Sequence, residues 1–249
     1  MFTKNDVVER ISDMDVLTFL EYEPLDVENP NDFYAHDLTA FGEMPTVHIR
    51  IPVKYKSAID MLWEEVKQQT PVNANMSALL RKIAKHGAMQ LTKNEYFNEF
   101  KKLKEIRIRL TKVFGVKRSK YFDYNFARKL DHLMVARQMV GARINTMFGM
   151  SSEDISFRSY PKWHVVISSY ADTVGISTYA NYRVALGLSL DTAFAVFPDA
   201  QFINSTLYEA LMMYKGVFIG HLGEYIEKYE DITGINLLKG VSVHDGGSK

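Results

Sequence analysis

The stretch that decides the fold runs from Pro45 to Leu91 and reads PTVHIRIPVKYKSAIDMLWEEVKQQTPVNANMSALLRKIAKHGAMQL. Near its start, Thr46 to Ile51 alternate polar and apolar side chains, and this period of two predicts a β-strand with one apolar and one polar face. Pro52 ends the strand. Apolar residues then recur at helical spacing, so a first helix is predicted almost at once. The residues of its apolar face are Tyr55, Ala58, Ile59, Leu62, Trp63 and Val66.

A second helix is predicted after a break at residues 70–73, which read Thr-Pro-Val-Asn. Asn75 or Ser77 can cap this helix, because both side chains can accept a hydrogen bond from a main-chain N–H of its first turn. The predicted apolar face of the second helix consists of Leu79, Leu80, Ile83, Ala84 and Leu91. The stretch therefore has the order strand, helix, helix.

A lone strand of this length has no partner for its main-chain groups. A twofold dimer would supply one, with two copies of the strand paired antiparallel above four helices. The outward face of such a ribbon would carry Thr46, His48 and Arg50 from each subunit. A two-stranded ribbon fits the major groove of DNA, where Arg can bind guanine through two hydrogen bonds.

The strand, the proline after it, the first-helix spacing and the start of the second helix resemble, in this order, the ribbon-helix-helix family of DNA-binding proteins. In that family, strand residues contact bases and the N-terminus of the second helix faces a DNA phosphate, which suits its unpaired N–H groups and its dipole. The resemblance implies base contacts by Thr46, His48 and Arg50, and phosphate contacts by Lys54, Asn75, Met76 and Ser77. The alternative is an edge strand and a helical hairpin inside a larger α+β domain.

The net charge of zero hides a strong asymmetry along the chain. Residues 1–44 hold eleven acidic and two basic residues (net −9), residues 45–143 hold eight acidic and 21 basic residues (net +13), and residues 144–249 hold eleven acidic and seven basic residues (net −4). A DNA-facing surface is expected in the basic middle segment, which includes the predicted strand. The acidic segment is predicted to be a short helix and an irregular arm, which competes with DNA for the basic surface, binds a partner, or is a solvated connector.

Residues 93–150 are predicted to form a basic helical region. Gly115 can end its first helix, and a second helix is predicted from about Tyr124 to Phe148. Three basic residues of the first helix either touch DNA phosphates, which adds salt-dependent affinity without sequence information, or form its solvated face. These residues are Lys101, Lys102 and Lys104.

Residues 151–249 are predicted to form a helical C-terminal region for oligomerisation or partner contact. Trp163 to Ile167 favour a strand. Ala171 to Ser177 look like a helix-turn-helix corner and also resemble the turn of a second ribbon-helix-helix unit, near residues 167–190. The segment before this turn leaves no room for the first helix of such a unit, so we predict a packed corner between two helices.

A final long helix is predicted from a cap at Asn204 or Ser205 to about Tyr229. Its apolar residues follow three- and four-residue spacing, which suits packing on another helix of this chain or of a second subunit. Three glycines within it cost helix stability, and close helix approach is a reason to keep them. They are Gly216, Gly220 and Gly223.

The search for catalytic or metal-binding residues finds no candidate. The seven histidines are scattered, and no phosphate-binding loop, nucleophile elbow or paired-carboxylate motif occurs. We therefore expect no enzyme activity, no metal and no cofactor, and we interpret His132 and His221 as structural residues. The chain has no cysteine, its first residues do not form a secretory signal, and no long apolar run predicts a membrane span; these features favour a cytoplasmic protein.

The sequence thus predicts a mainly α fold with a short β-ribbon. It divides into an acidic arm (1–44), a ribbon-helix-helix module (45–92), a basic helical region (93–150) and a helical C-terminal region (151–249). The expected function is sequence-specific binding of double-stranded DNA by a homodimer or higher oligomer, as a repressor or a plasmid or phage maintenance factor. The alternative is a scaffolding protein that uses the ribbon fold to dimerise and its basic surface to bind an acidic protein.

Overall fold

A computed structural model of the protein describes residues 44–69, 76–148, 152–194, 200–239 and 241. The described residues are mostly helical and include one two-stranded antiparallel sheet, as predicted. The predicted acidic helix and arm lie outside the described residues, apart from Met44. In chain order the elements are β1 (Thr46–Pro52), α1 (Val53–Gln69), α2 (Met76–Lys93), α3 (Glu95–Leu110), α4 (Tyr124–Thr146), β2 (Ser152–Arg158), α5 (Pro161–Val174), α6 (Thr178–Phe194) and α7 (Ala200–Thr233).

The first three elements confirm the pattern of the deciding stretch. In β1, Val47, Ile49 and Ile51 are buried, while the side chains between them are exposed. Helix α1 starts directly after Pro52 and buries most of its predicted face. The predicted apolar residues of α2 are all buried.

The partner of β1 is a strand of the same chain. Strand β2 pairs with β1 antiparallel, with Ile49 opposite Ile155 at the centre of the register. The expected pairing of two copies of β1 across a dimer interface is therefore wrong for this ribbon, because the strand that completes it is β2 of the same chain. A homodimer stays a prediction, but a second copy of the chain is not needed to complete the ribbon.

The segment around β2 differs from the sequence-based expectation. Trp163 to Ile167 do not form a strand; they lie in α5, which starts at Pro161, a residue well suited to the first turn of a helix. The expectation that no first helix fits before the turn at Gly175 is also wrong, because α5 is that helix. Gly175 ends it with a left-handed backbone (φ 82°), and α6 starts at Thr178, which forms the predicted corner.

The chain therefore contains two strand–helix–helix units, β1-α1-α2 and β2-α5-α6, whose strands pair about a local twofold axis. Helices α2 and α6 pack against each other beneath the strands. They approach so closely that a β-carbon added at Gly87 would overlap the carbonyl oxygen of Ala185. This crossing joins the two units into one core.

Helices α3, α4 and α7 pack together beside these units. A π-helical turn, Thr111–Gly115, extends α3 and ends at the predicted glycine. Helix α7 buries its predicted seam against α3 and α4 of the same chain. It begins before Asn204, whose side chain accepts a hydrogen bond from Asn94 at 2.9 Å, so the predicted cap at Asn204 or Ser205 is wrong.

The glycines of α7 do not mark a close helix contact. A β-carbon at Gly216 or Gly220 would meet no described atom within 4 Å, and one at Gly223 would meet only Ile219 of the same helix. The predicted close approach is therefore wrong for the described helices of the same chain, while an approach by a helix of a second subunit stays a prediction. Separately, the helices described by the structure include none that is both long and apolar enough to cross a membrane.

Candidate nucleic-acid interface

One face of the ribbon is exposed and polar, and three cross-strand pairs form it. Thr46 lies opposite Arg158, His48 opposite Ser156, and Arg50 opposite Asp154. Directly opposite residues of an antiparallel pair project to the same side of the sheet, so these six side chains share one face. We call this set of six residues the outer face of the ribbon.

The opposite face of the ribbon is apolar and buried. Val47 lies opposite Phe157, and Ile49 lies opposite Ile155; all four side chains are at least nine-tenths buried. They rest on two helices, with α2 beneath β2 and α6 beneath β1. The side chains of the outer face therefore project from two regular β-strands whose opposite side is packed in the core.

An ion pair crosses the outer face. Arg50 donates a hydrogen bond from Nε to Oδ1 of Asp154 at 3.1 Å, and the two side chains are 72% and 78% exposed. An ion pair this exposed contributes at most about 1 kcal/mol to folding stability, because water screens it. The geometry of this ion pair is more informative than its energy. The carboxylate of Asp154 occupies Nε of Arg50, and the two terminal nitrogens are not part of this hydrogen bond.

The end of β2 is held by the N-terminal part of α2. The main-chain N–H of Arg158 donates to Oγ of Ser77 at 3.2 Å, and Nε of the buried Arg81 donates to the carbonyl oxygen of Arg158 at 3.0 Å. The guanidinium of Arg81 also lies 5.3 Å from the centre of the Tyr160 ring. These contacts place the first turn of α2 beside one end of the outer face.

A buried polar network fixes the chain just after β2. Tyr182 donates a hydrogen bond from its hydroxyl to Oγ of Ser159 at 2.6 Å, and Nδ1 of His164 lies 2.9 Å from the same tyrosine oxygen. Burial raises the pKa of Tyr182 to about 12 and lowers the pKa of His164 from its usual value. Both groups are therefore neutral near pH 7, which suits their burial between β2, α5 and α6.

The predicted phosphate contacts fall into two groups, and the first lies near the ribbon. Met76 and Ser77 form the first turn of α2 beside Arg158, and Lys54 is exposed in the first turn of α1, directly after β1. The ammonium of Lys54 lies 5.7 Å from the centre of the Tyr55 ring. Asn75 lies outside the described residues.

The second group lies on α3, which packs on α5 and α7 rather than on the ribbon. Lys101 is exposed, and Lys102 pairs with Glu99 of the same helix at 2.6 Å. Lys104 forms an ion pair with Asp172 of α5. The structure does not bring these lysines together with the outer face, and their contact with phosphate stays a prediction.

Sequence reasoning missed half of the outer face. Asp154, Ser156 and Arg158 alternate with the buried Ile155 and Phe157, which is the period-two pattern that identified β1. The signal is shorter in β2 because exposed Glu153 stands where β1 has a buried apolar residue, Val47. A search for a second alternating segment would have found these residues.

Within the described ranges, no group of three or more His, Cys, Asp or Glu side chains could hold a metal ion. His132 and His221 stack with their ring centres 5.5 Å apart, on α4 and α7. Comparisons with protein-family models, with curated proteins and with solved structures found no match to this chain. A functional proposal for this chain therefore rests on its fold and on the outer face of the ribbon.

Proposed function

We propose that the protein binds double-stranded DNA sequence-specifically, as a ribbon-helix-helix module built from two units of one chain. The observation that carries this proposal is the outer face of the ribbon, a polar β-surface mounted on a buried apolar one. The two strand–helix–helix units support the proposal, because both have the element order on which the first unit resembles the ribbon-helix-helix family. No cofactor is part of the proposal.

The dimensions of the ribbon suit the major groove, which admits a two-stranded β-ribbon. Each strand has seven residues, so the ribbon spans about 23 Å at about 3.3 Å per residue, the length of about seven base pairs. Arg50 and Arg158 can donate to guanine, and Asp154 can accept from the amino group of cytosine. The outer face thus carries both donors and acceptors for base edges.

The charge of the outer face favours specific over non-specific binding. Asp154 partly offsets the positive charge of Arg50 and Arg158, so the base-contacting surface attracts phosphates only weakly. General affinity is expected from Lys54 and the first turn of α2, which lie near the ribbon, while a contribution from the lysines of α3 stays a prediction. The α2 N-terminus suits a phosphate through its main-chain N–H groups and its dipole, and it lies beside Arg158.

We further propose that the protein acts on DNA as a regulator or a maintenance factor. A repressor, or a plasmid or phage maintenance factor, would use the ribbon to occupy a site in the cytoplasm. The helices outside the two units would then contact a protein partner or a second copy of the chain. A scaffolding protein is the alternative, with the basic helices bound to an acidic partner.

The test is capture of fragmented genomic DNA by the purified protein, followed by sequencing, with affinities then measured on the enriched fragment and on a scrambled one over a salt series. We expect one enriched motif, a preference for it of at least about 1,000-fold, and affinity that falls steeply with salt. Enrichment of no motif, with equal affinity for the two duplexes, would overturn the proposal and favour the scaffolding alternative.

A matched pair of variants ties the result to the ribbon. Arg50→Ala and Arg128→Ala each remove one exposed arginine, the first from the outer face and the second from α4. Only Arg50→Ala is expected to reduce the preference for the motif. An equal effect of the two variants would mean that charge alone, and not the outer face, drives binding.

A further inference from the structure

The two halves of the outer face are related by the local axis but carry different side chains. The axis passes between Ile49 and Ile155, so it relates His48 to Asp154 and Arg50 to Ser156. A symmetric homodimer would present the same residues twice. Here one half offers an arginine where the other offers a serine, and a histidine where the other offers a carboxylate.

We propose that the ribbon recognises a non-palindromic duplex site, an inference that rests on the proposed function. In this site Arg50, held by Asp154, binds one guanine that has no counterpart in the other half-site. The asymmetry follows from the chemistry of the two side chains. The equivalent of Arg50 is Ser156, whose short hydroxyl cannot make the two hydrogen bonds with which Arg grips O6 and N7 of guanine. The half-sites therefore cannot share the same preferred base at this position.

Asp154 acts as a positioning residue for Arg50. It accepts the hydrogen bond of Nε at 3.1 Å, which uses one edge of the guanidinium and leaves the two terminal nitrogens to form the fork that matches guanine. An arginine fixed in this way loses less side-chain entropy when it binds. The exposure of both side chains indicates that the pair is not part of the core and leaves it accessible to a duplex.

Arg158 adds to the asymmetry at one end of the ribbon. Its equivalent across the axis is Pro52, which has no donor group. The main chain of Arg158 is fixed by Ser77 and Arg81, so its side chain starts from a well-supported position. One end of the DNA site is therefore contacted by an arginine and the other end is not.

The experiment is selection of sites from a random duplex library by the wild-type chain and three variants: Asp154→Asn, Asp131→Asn, and the double variant Asp154→His with Ser156→Arg. The wild type is expected to select a motif without dyad symmetry inside the roughly seven base pairs covered by one ribbon. Asp154→Asn is expected to lower the preference for guanine at one position by at least about fivefold. Asp131→Asn, the matched control on α4 outside the outer face, is expected to keep that guanine.

The double variant gives both strands the same residues at the two related positions, so it is expected to select a more palindromic motif. Unfolding curves of all variants check that the fold is intact. A palindromic wild-type motif, or an unchanged guanine preference in Asp154→Asn, would overturn this inference while leaving DNA binding in place. If the wild type selects no motif at all, the proposed function itself fails.

Discussion

The two strand–helix–helix units have the same architecture, but their sequences signal it with different strength. In β1 the alternation of polar and apolar residues is complete, whereas exposed Glu153 interrupts the pattern at the start of β2. Helix α1 follows β1 at once, while two residues, Ser159 and Tyr160, separate β2 from α5. The two strands nevertheless pair over their full length, so the weaker pattern of β2 is compatible with complete pairing to β1.

The difference between the units is greatest on the outer face. The buried pair at the axis, Ile49 and Ile155, is identical in the two units, and the exposed positions on either side of it are not. Packing constrains the inner face, since β2 rests on α2, β1 rests on α6, and these two helices cross. The outer face has no such constraint, so its residues are free to differ, and under the proposed function they set which base pairs the ribbon prefers.

The largest expected effect concerns the crossing that joins the two units. Gly87→Ala should reduce the free energy of unfolding by more than about 3 kcal/mol, because the new methyl group would overlap the main chain of Ala185, and neither helix can move without disturbing the other unit. Chemical denaturation measures this loss.

The matched control for that substitution is Gly216→Ala in α7, where an added β-carbon would meet no described atom within 4 Å. Alanine is the better helix former, so this variant should be more stable by about 0.5–1 kcal/mol. Similar effects of the two substitutions would show that α2 and α6 do not cross as described.

Truncation of the axis pair compares the two strands directly. Ile49→Ala and Ile155→Ala should each cost about 2–3 kcal/mol of unfolding free energy, because each removes a buried side chain from the layer beneath the ribbon. Thr46→Ala, on the outer face, should change stability by less than about 0.5 kcal/mol. A cost confined to Ile49 would mean that β2 is not a full partner of β1.

Removal of the Arg50 side chain should affect binding and not folding. Arg50→Ala is expected to cost about 1–3 kcal/mol of binding free energy at the specific site, with a change in stability below about 1 kcal/mol. Arg50→Lys should restore the charge and non-specific affinity but little discrimination, because lysine lacks the fork. Lys54→Ala should keep the base preference, and fluorescence titrations on matched and mismatched duplexes distinguish these outcomes.

The smallest expected effect is a pH dependence of folding stability, caused by His164 in the second unit. Burial lowers the pKa of His164 in the folded chain, so between the folded and unfolded pKa values the unfolded state binds more protons. Stability should therefore fall as the pH decreases through about 6.5, the ordinary histidine value. Melting temperatures of wild type and His164→Gln between about pH 5 and 8 test this, and parallel curves would argue against it.

The sequence anticipated one unit well and the other poorly. The strand β1, the helices α1 and α2 and the buried and exposed faces of β1 follow from side-chain periodicity, which is a local property. Trp163 to Ile167 show the limit of that approach, since a short apolar run fits a strand or a buried helix equally well. Only the preceding Pro161 and the pairing of β2 decide for a helix.

By itself, the sequence determined the local elements and the types of side chain on the polar face of β1. The tertiary structure decided which strand completes the ribbon, because a contact between residues about 100 positions apart leaves no periodic trace in either segment. It also decided that Asp154 lies beside Arg50, and that Lys104 is engaged with Asp172. Charge can be counted along a chain, but the partner that each charge meets depends on how distant segments pack.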